Sequence, residues 1–209
     1  MLLVSGATAT VRRYSGSGRL GKLLRPGNGN GPDELPWAAD NGAFKNFQAD
    51  EFRAFLSRIA GAPGCMWVAV PDVVADHAAT LKEFRVWEPT LHASGFPVAL
   101  VSQDGLRCAD VPWEHIECLF VGGTDRHKLG DEAVRLARET KRRDKLLHLG
   151  RVNSVERIRY AHDLVADSFD GGQFSMFPDT WIPWALERMP AIERSERQMF
   201  LCDAVEEQS

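Results

Sequence analysis

Short apolar runs and longer amphipathic stretches alternate along the whole chain. "MLLVSGA" opens it, and "PWAADNG", "CMWVAVPD" (65–72), "FPVALVSQDG" (96–105), "CLFVGGT" (118–124), "KLLHLGRV" (145–152) and "DSFDGG" (167–172) follow. Each run stops at a polar or glycine break. Between the runs lie "DEFRAFLSRIAG", "DHAATLKEFRVWEPTLHASG", "DEAVRLARETKRRD" and "SVERIRYAHDLVA". Their apolar residues recur at i, i+3 and i+4, the period of a helix with one buried face. The short runs are almost continuously apolar, as strands are when both faces are covered. Such strands alternating with helices predict a parallel sheet.

Seven strands are readable. From Asp40 to Asp170 the unit recurs about every 26 residues, close to the ~31 per unit of a 250-residue barrel. The expected fold is therefore α/β, a compact TIM-like (β/α)8 barrel occupying residues 1–209 as one domain. The eighth unit has no clear place, and "QMFLC" in the tail is one candidate for its strand. A doubly wound open sheet is the alternative, weakened because no GxGxxG follows the first strand. Residues 8–34 are basic and rich in Gly and Ser, and read as a flexible loop able to close over a polyanion.

A barrel of this kind builds its site at the C-terminal ends of its strands. Those positions hold Asp40, Asp72, Gln103, the Gly122–Gly123 pair, Gly150 with Arg151, and Asp170. Three carboxylates, an amide and glycines at one mouth fit a flat, hydrogen-bonding ligand whose edge they read. Asp167, three residues before Asp170, falls at the other end of its strand and reads as part of a turn.

Composition narrows the partners. The chain is 44% hydrophobic and 26% charged, ordinary for a globular protein, and no apolar run approaches the ~20 residues that span a bilayer. The basic residues near the start follow the apolar stretch, the reverse of a secretory signal, so a cytoplasmic location is the default expectation. A net charge of −4 argues against indiscriminate coating of nucleic acid. It leaves room for a local basic surface, and Arg12, Arg13, Arg19, Lys22 and Arg25 form one, with "KRRDK" (141–145) a second. Cys65, Cys108, Cys118 and Cys202 form no CxxC pair, and the six histidines form no HxH or HExxH. Neither a metal nor another cofactor is expected.

Several of these segments together resemble the tRNA-guanine transglycosylases, and more closely their short phage and mobile-element relatives associated with deazapurine modification of DNA. "ADNGAF" (39–44) is similar to that family's DSGGF motif, "VSQDG" (101–105) to its VQGG segment and "LFVGGT" (119–124) to its VGG loop. "HLGRVNSVERIRYAHDLVADSFDGG" (148–172) follows the family's stretch from the sixth strand to the nucleophile of its FD motif. The resemblance implies Asp170 as nucleophile and Asp40 as general acid and base. It implies Asp72, Gln103, Gly122 and Gly123 as base-reading groups, with Phe44 and Leu149 stacking on the two faces of the base. The family's zinc-binding cysteines and the PTR after its nucleophile are missing, and "GGQFSMFPD" stands in that place. Those parts engage tRNA, so the implied substrates are DNA and a 7-deazaguanine base such as preQ0. Arg12, Arg13, Arg19, Lys22 and Arg151 would hold the nucleic acid, and an accessory protein has room to add contacts.

The chemistry needs a carboxylate that attacks C1′ and a second that shuttles a proton to and from the bases. The same pair serves a nucleoside or nucleotide deoxyribosyltransferase, or an N-glycosidase, acting on free substrates. A catalytically silent nucleic-acid-binding barrel is the remaining alternative, and convergent carboxylates near phosphates speak against it.

Overall fold

The computed structural model describes residues 1–6, 8–43 and 47–189. Eight parallel strands close into a barrel in chain order: β1 (Leu2–Val4), β2 (Leu20–Leu24), β3 (Trp37–Ala39), β4 (Cys65–Ala69), β5 (Val98–Ser102), β6 (Cys118–Val121), β7 (Leu146–Leu149) and β8 (Ser168–Asp170). The ring is completed by β8 against β1, with Leu2 opposite Phe169 and Leu3 opposite Asp170. The helices are α1 (Thr8–Arg13), α2 (Ala49–Ile59), α3 (His77–Ala93), α4 (Asp125–Lys128), α5 (Asp131–Arg142), α6 (Val155–Asp163), α7 (Gly172–Met176) and α8 (178–189). The (β/α)8 architecture expected from the sequence is the one observed. Among the described residues, no helix is long and apolar enough to cross a membrane.

Two apolar layers hold the fold, and period-two alternation assigns most strand residues to one of them. Leu3, Leu23, Ala38, Trp67, Ala69, Ala99, Val101 and Cys118 fill the barrel interior. Their neighbours Leu2, Val4, Leu24, Val68, Val98, Leu100, Leu119, Leu147, Leu149 and Phe169 point outward into the helical layer. Ala is the commonest interior residue, and its small side chain leaves room for Trp67 and Phe120, whose rings lie 5.6 Å apart.

The eighth strand lies inside the segment expected to be a flexible loop. "LGKLL" forms β2, and Arg12 and Arg13 end α1. The readable strands after the first therefore each move up by one, and "QMFLC" lies outside the described residues. A physical reason hid β2. Lys22, at its centre, faces outward and is 1% exposed, where an apolar residue would be expected. No helix joins β2 to β3, so the connecting segment itself covers this face. Its Gly31 carbonyl and Asp33 carboxylate receive the Lys22 ammonium, the latter at 3.1 Å. A buried charge survives there because it is paired and hydrogen-bonded.

Candidate active site

Continuing the inward alternation past the strand ends gives the wall of a cavity at the C-terminal mouth. One step beyond Leu23, Ala38, Val101, Phe120 and His148 come Arg25, Asp40, Gln103, Gly122 and Gly150, and all five line it. Asn41, Asp72, Gly123, Lys128, Arg151, Asp170 and Gly172 complete the ring, with Phe120 beneath, around a volume of about 280 Å³. That space suits a nucleoside-sized ligand. Glycines keep it open. A Cβ on Gly150 would stand 2.6 Å from the Phe120 ring and 3.5 Å from Asp170 Oδ1. One on Gly123, whose φ is 77°, would meet Asp104 Oδ2 at 2.7 Å.

Asp170 ends β8 and is held from its own barrel wall. His148 Nε2 lies 3.1 Å from Asp170 Oδ1, and the Arg151 N–H reaches the same oxygen at 3.4 Å. His148 is fully buried, packed on Trp67 at 4.7 Å and Phe120 at 4.4 Å between ring centres. Burial lowers its pKa below the usual histidine range, against the opposing pull of Asp170. A neutral ring facing a carboxylate carries its proton on Nε2, so Nδ1 accepts from the Ser168 hydroxyl at 2.8 Å. This serine–histidine–aspartate chain fixes one carboxylate oxygen and leaves the other to the cavity.

Asp40 has the opposite surroundings. Burial first, then the charges of Asp170 and Asp72, push its pKa up to about 6, despite hydrogen bonds from the Gly42 and Asn41 backbone. Two effects that each disfavour the charged form act together here. Asp72 is gripped on both oxygens: Asn41 Nδ2 donates to Oδ1 at 2.8 Å and Gln103 Nε2 to Oδ2 at 2.5 Å. Burial raises its pKa, while these two amides and the Arg151 charge pull it back. Gln103 is itself locked by the Ala75 N–H on its Oε1 at 2.8 Å, and Asn41 also donates to the Val70 carbonyl. The three carboxylates thus line one cavity with three different sets of partners.

The structure brings together Asp40, Asp72, Gln103, Gly122, Gly123, Arg151 and Asp170 as the sequence anticipated. It does not bring Leu149, which points outward into the helical layer and offers no face to a base. Phe120 supplies an aromatic surface at the cavity floor instead. Phe44 lies outside the described residues. Lys22 is sealed under the β2–β3 connection and does not reach a phosphate. Arg19 precedes β2 at the end of the barrel opposite the cavity. Arg12 pairs with Asp33 at 3.5 Å and Glu34 at 3.0 Å, and Arg13 with Asp179 at 2.7 Å. Arg12, Arg13 and Lys22 are therefore engaged within the protein, whereas Arg25 reaches the cavity wall. His148, Asn41, Phe120 and Lys128 are the site residues that sequence reasoning missed. Among the described residues, no group of three or more His, Cys, Asp or Glu could hold a metal ion.

No family model matches the chain, and no curated protein is similar enough to match it. Solved structures do match. One is the YdjI aldolase from Escherichia coli K12, similar over 96% of this chain and 89% of that one, with a TM-score of 0.54 and 12% identity. At that identity the likeness speaks for the barrel fold alone.

Proposed function

We propose that the chain is a base-exchanging transglycosylase that replaces guanine in DNA by a 7-deazaguanine such as preQ0. The free oxygen of Asp170 attacks C1′, the bond from C1′ to the guanine nitrogen breaks, and a glycosyl ester forms on Asp170. Protonated Asp40 gives its proton to the departing guanine. The resulting Asp40 carboxylate then takes a proton from the incoming base, whose nitrogen attacks C1′ and frees Asp170. Asp72 and Gln103 read the donor and acceptor edge of both bases, since both occupy the same pocket. Extruding the target base from a duplex costs a few kcal/mol, and stacking over Phe120 would recover about 1–3.

The observation that carries this reading is Asp40. A carboxyl group with a pKa of about 6, facing a second carboxylate held by an N–H donor, is suited to hold and release a proton near neutrality. The test is a guanine-containing oligonucleotide incubated with preQ0, digested to nucleosides and weighed by mass spectrometry. Incorporation of the deazaguanine matched by release of guanine is expected, and no incorporation into any oligonucleotide would refute the DNA reaction.

A second reading has its own support. Arg12, Arg13 and Lys22 are occupied inside the protein, and the cavity is of nucleoside size. Both features favour a deoxyribosyltransferase or N-glycosidase acting on free nucleosides or nucleotides with the same carboxylate pair. Exchange on deoxyguanosine but not on oligonucleotides would select it.

A further inference from the structure

We propose that Lys128 and Arg151 form a phosphate-binding subsite on the β6–β7 wall of the cavity, so that the substrate is a phosphorylated nucleoside unit. The inference rests on the reading of the cavity as a site for a base and its sugar. Lys128 closes α4 and is only 1% exposed, yet it lines the cavity. Its Nζ has Asp125 Oδ1 at 3.4 Å, a long contact to a carboxylate that is 68% exposed. The other oxygen of Asp125 is taken by Arg157 at 2.9 Å. One solvent-facing carboxylate is thus shared between two cations.

Arg151 adds a third positive charge close enough to act on both Lys128 and Asp72. It sits at φ 61° without being a glycine, a conformation that few non-glycine residues adopt. That turn does two things: it aims the Arg151 N–H at Asp170 and places the residue on the cavity wall. The subsite therefore adjoins the attacking carboxylate through the Arg151 backbone. Arg25 lines the opposite wall, from β2, and does not belong to this cluster. A burying environment strengthens a charge-assisted contact to an anion, and a phosphate ester has the oxygens to bridge an ammonium and a guanidinium.

The source of the phosphate is either a free nucleotide or a nucleic-acid strand, and binding separates them. Equilibrium titration of the full chain should show deoxyguanosine 5′-monophosphate binding roughly ten-fold tighter than deoxyguanosine. Lys128→Gln should shrink that preference to about two-fold without weakening deoxyguanosine, and Lys128→Arg should keep most of it. Arg151→Gln, at an exposed position, should shrink the preference likewise without disturbing a buried side chain. If the variants weaken a guanine-containing trinucleotide as much as the monophosphate, the phosphate comes from a strand. If only the monophosphate responds, it comes from a free nucleotide. Equal wild-type affinity for nucleotide and nucleoside, or a preference that survives both glutamine variants, overturns the subsite. None of these readouts needs turnover, so phosphate-selective binding without base exchange would remove the proposed reaction and leave the subsite standing.

Discussion

Two aspartates three residues apart, one just before β8 and one at its end, show how one barrel sets the same side chain in opposite surroundings. At the N-terminal end, Asp167 accepts from Lys141 Nζ and from the Leu147 N–H, each at 2.7 Å, while its own carbonyl receives the N-terminal ammonium at 2.6 Å. Its charge is matched by a cation. At the mouth, Asp170 has a neutral histidine beside it and adds to the repulsion on Asp40. Carboxylates that are paired close a structure, whereas carboxylates set against one another hold protons at unusual pH. The bottom of the barrel contributes stability, and the mouth gives some of it up by setting like charges together.

Substituting the two aspartates should separate these roles most sharply. Asp170→Asn should lower base exchange by roughly 10³-fold or more, since an amide does not form the glycosyl ester. Its thermal midpoint should hold or rise, because a repulsive charge is gone. Asp167→Ala should do the reverse, costing about 1–2 kcal/mol in denaturant unfolding with exchange per folded molecule unchanged. Comparable activity losses in the two variants would erase the contrast.

Asp40 sharpens the same comparison through pH. Its folded pKa, about 6, lies above the usual value of 3.8, so the folded state holds the proton more tightly than the unfolded chain. Stability should therefore fall as pH rises from about 4 to about 6 and stay lower above that. Asp40→Asn should weaken this dependence, leaving the part that Asp72 contributes, and be more stable than wild type at pH 7 by about 1–3 kcal/mol. Its exchange rate should fall by about 10²–10⁴-fold. Urea titrations of both proteins at pH 4.5 and 7.5 check the sign, and a variant destabilised at pH 7.5 would contradict it.

Much of this was readable in the sequence because strand parity and strand ends are sequence properties. The alternation of apolar runs with helical periods specified the barrel, and the residue after each run specified most of the mouth. The same parity argument, applied one step further, places Leu149 outward and His148 inward, since Gly150 and Asp170 face the cavity. A lone histidine in an apolar strand resembles core until Ser168 and Asp170 are known to stand on the adjacent strand at its two nitrogens. β2 was hidden because its central lysine answers to a missing helix, a tertiary fact with no local signal. Lys128 was hidden for a related reason: α4 is four residues long, too short to carry a period, and its last residue is brought to the cavity by the path of the chain.

In the proposed reaction Asp170 becomes covalently joined to the sugar during base exchange. The most direct test of this step is intact-protein mass spectrometry after acid quench, with a guanine-containing oligonucleotide present and no incoming base. Wild type should gain the mass of the oligonucleotide less guanine, with peptide mapping locating the adduct on Asp170, and Asp170→Asn should gain nothing. Base exchange proceeding with no such adduct, or an adduct that persists in Asp170→Asn, would contradict the account.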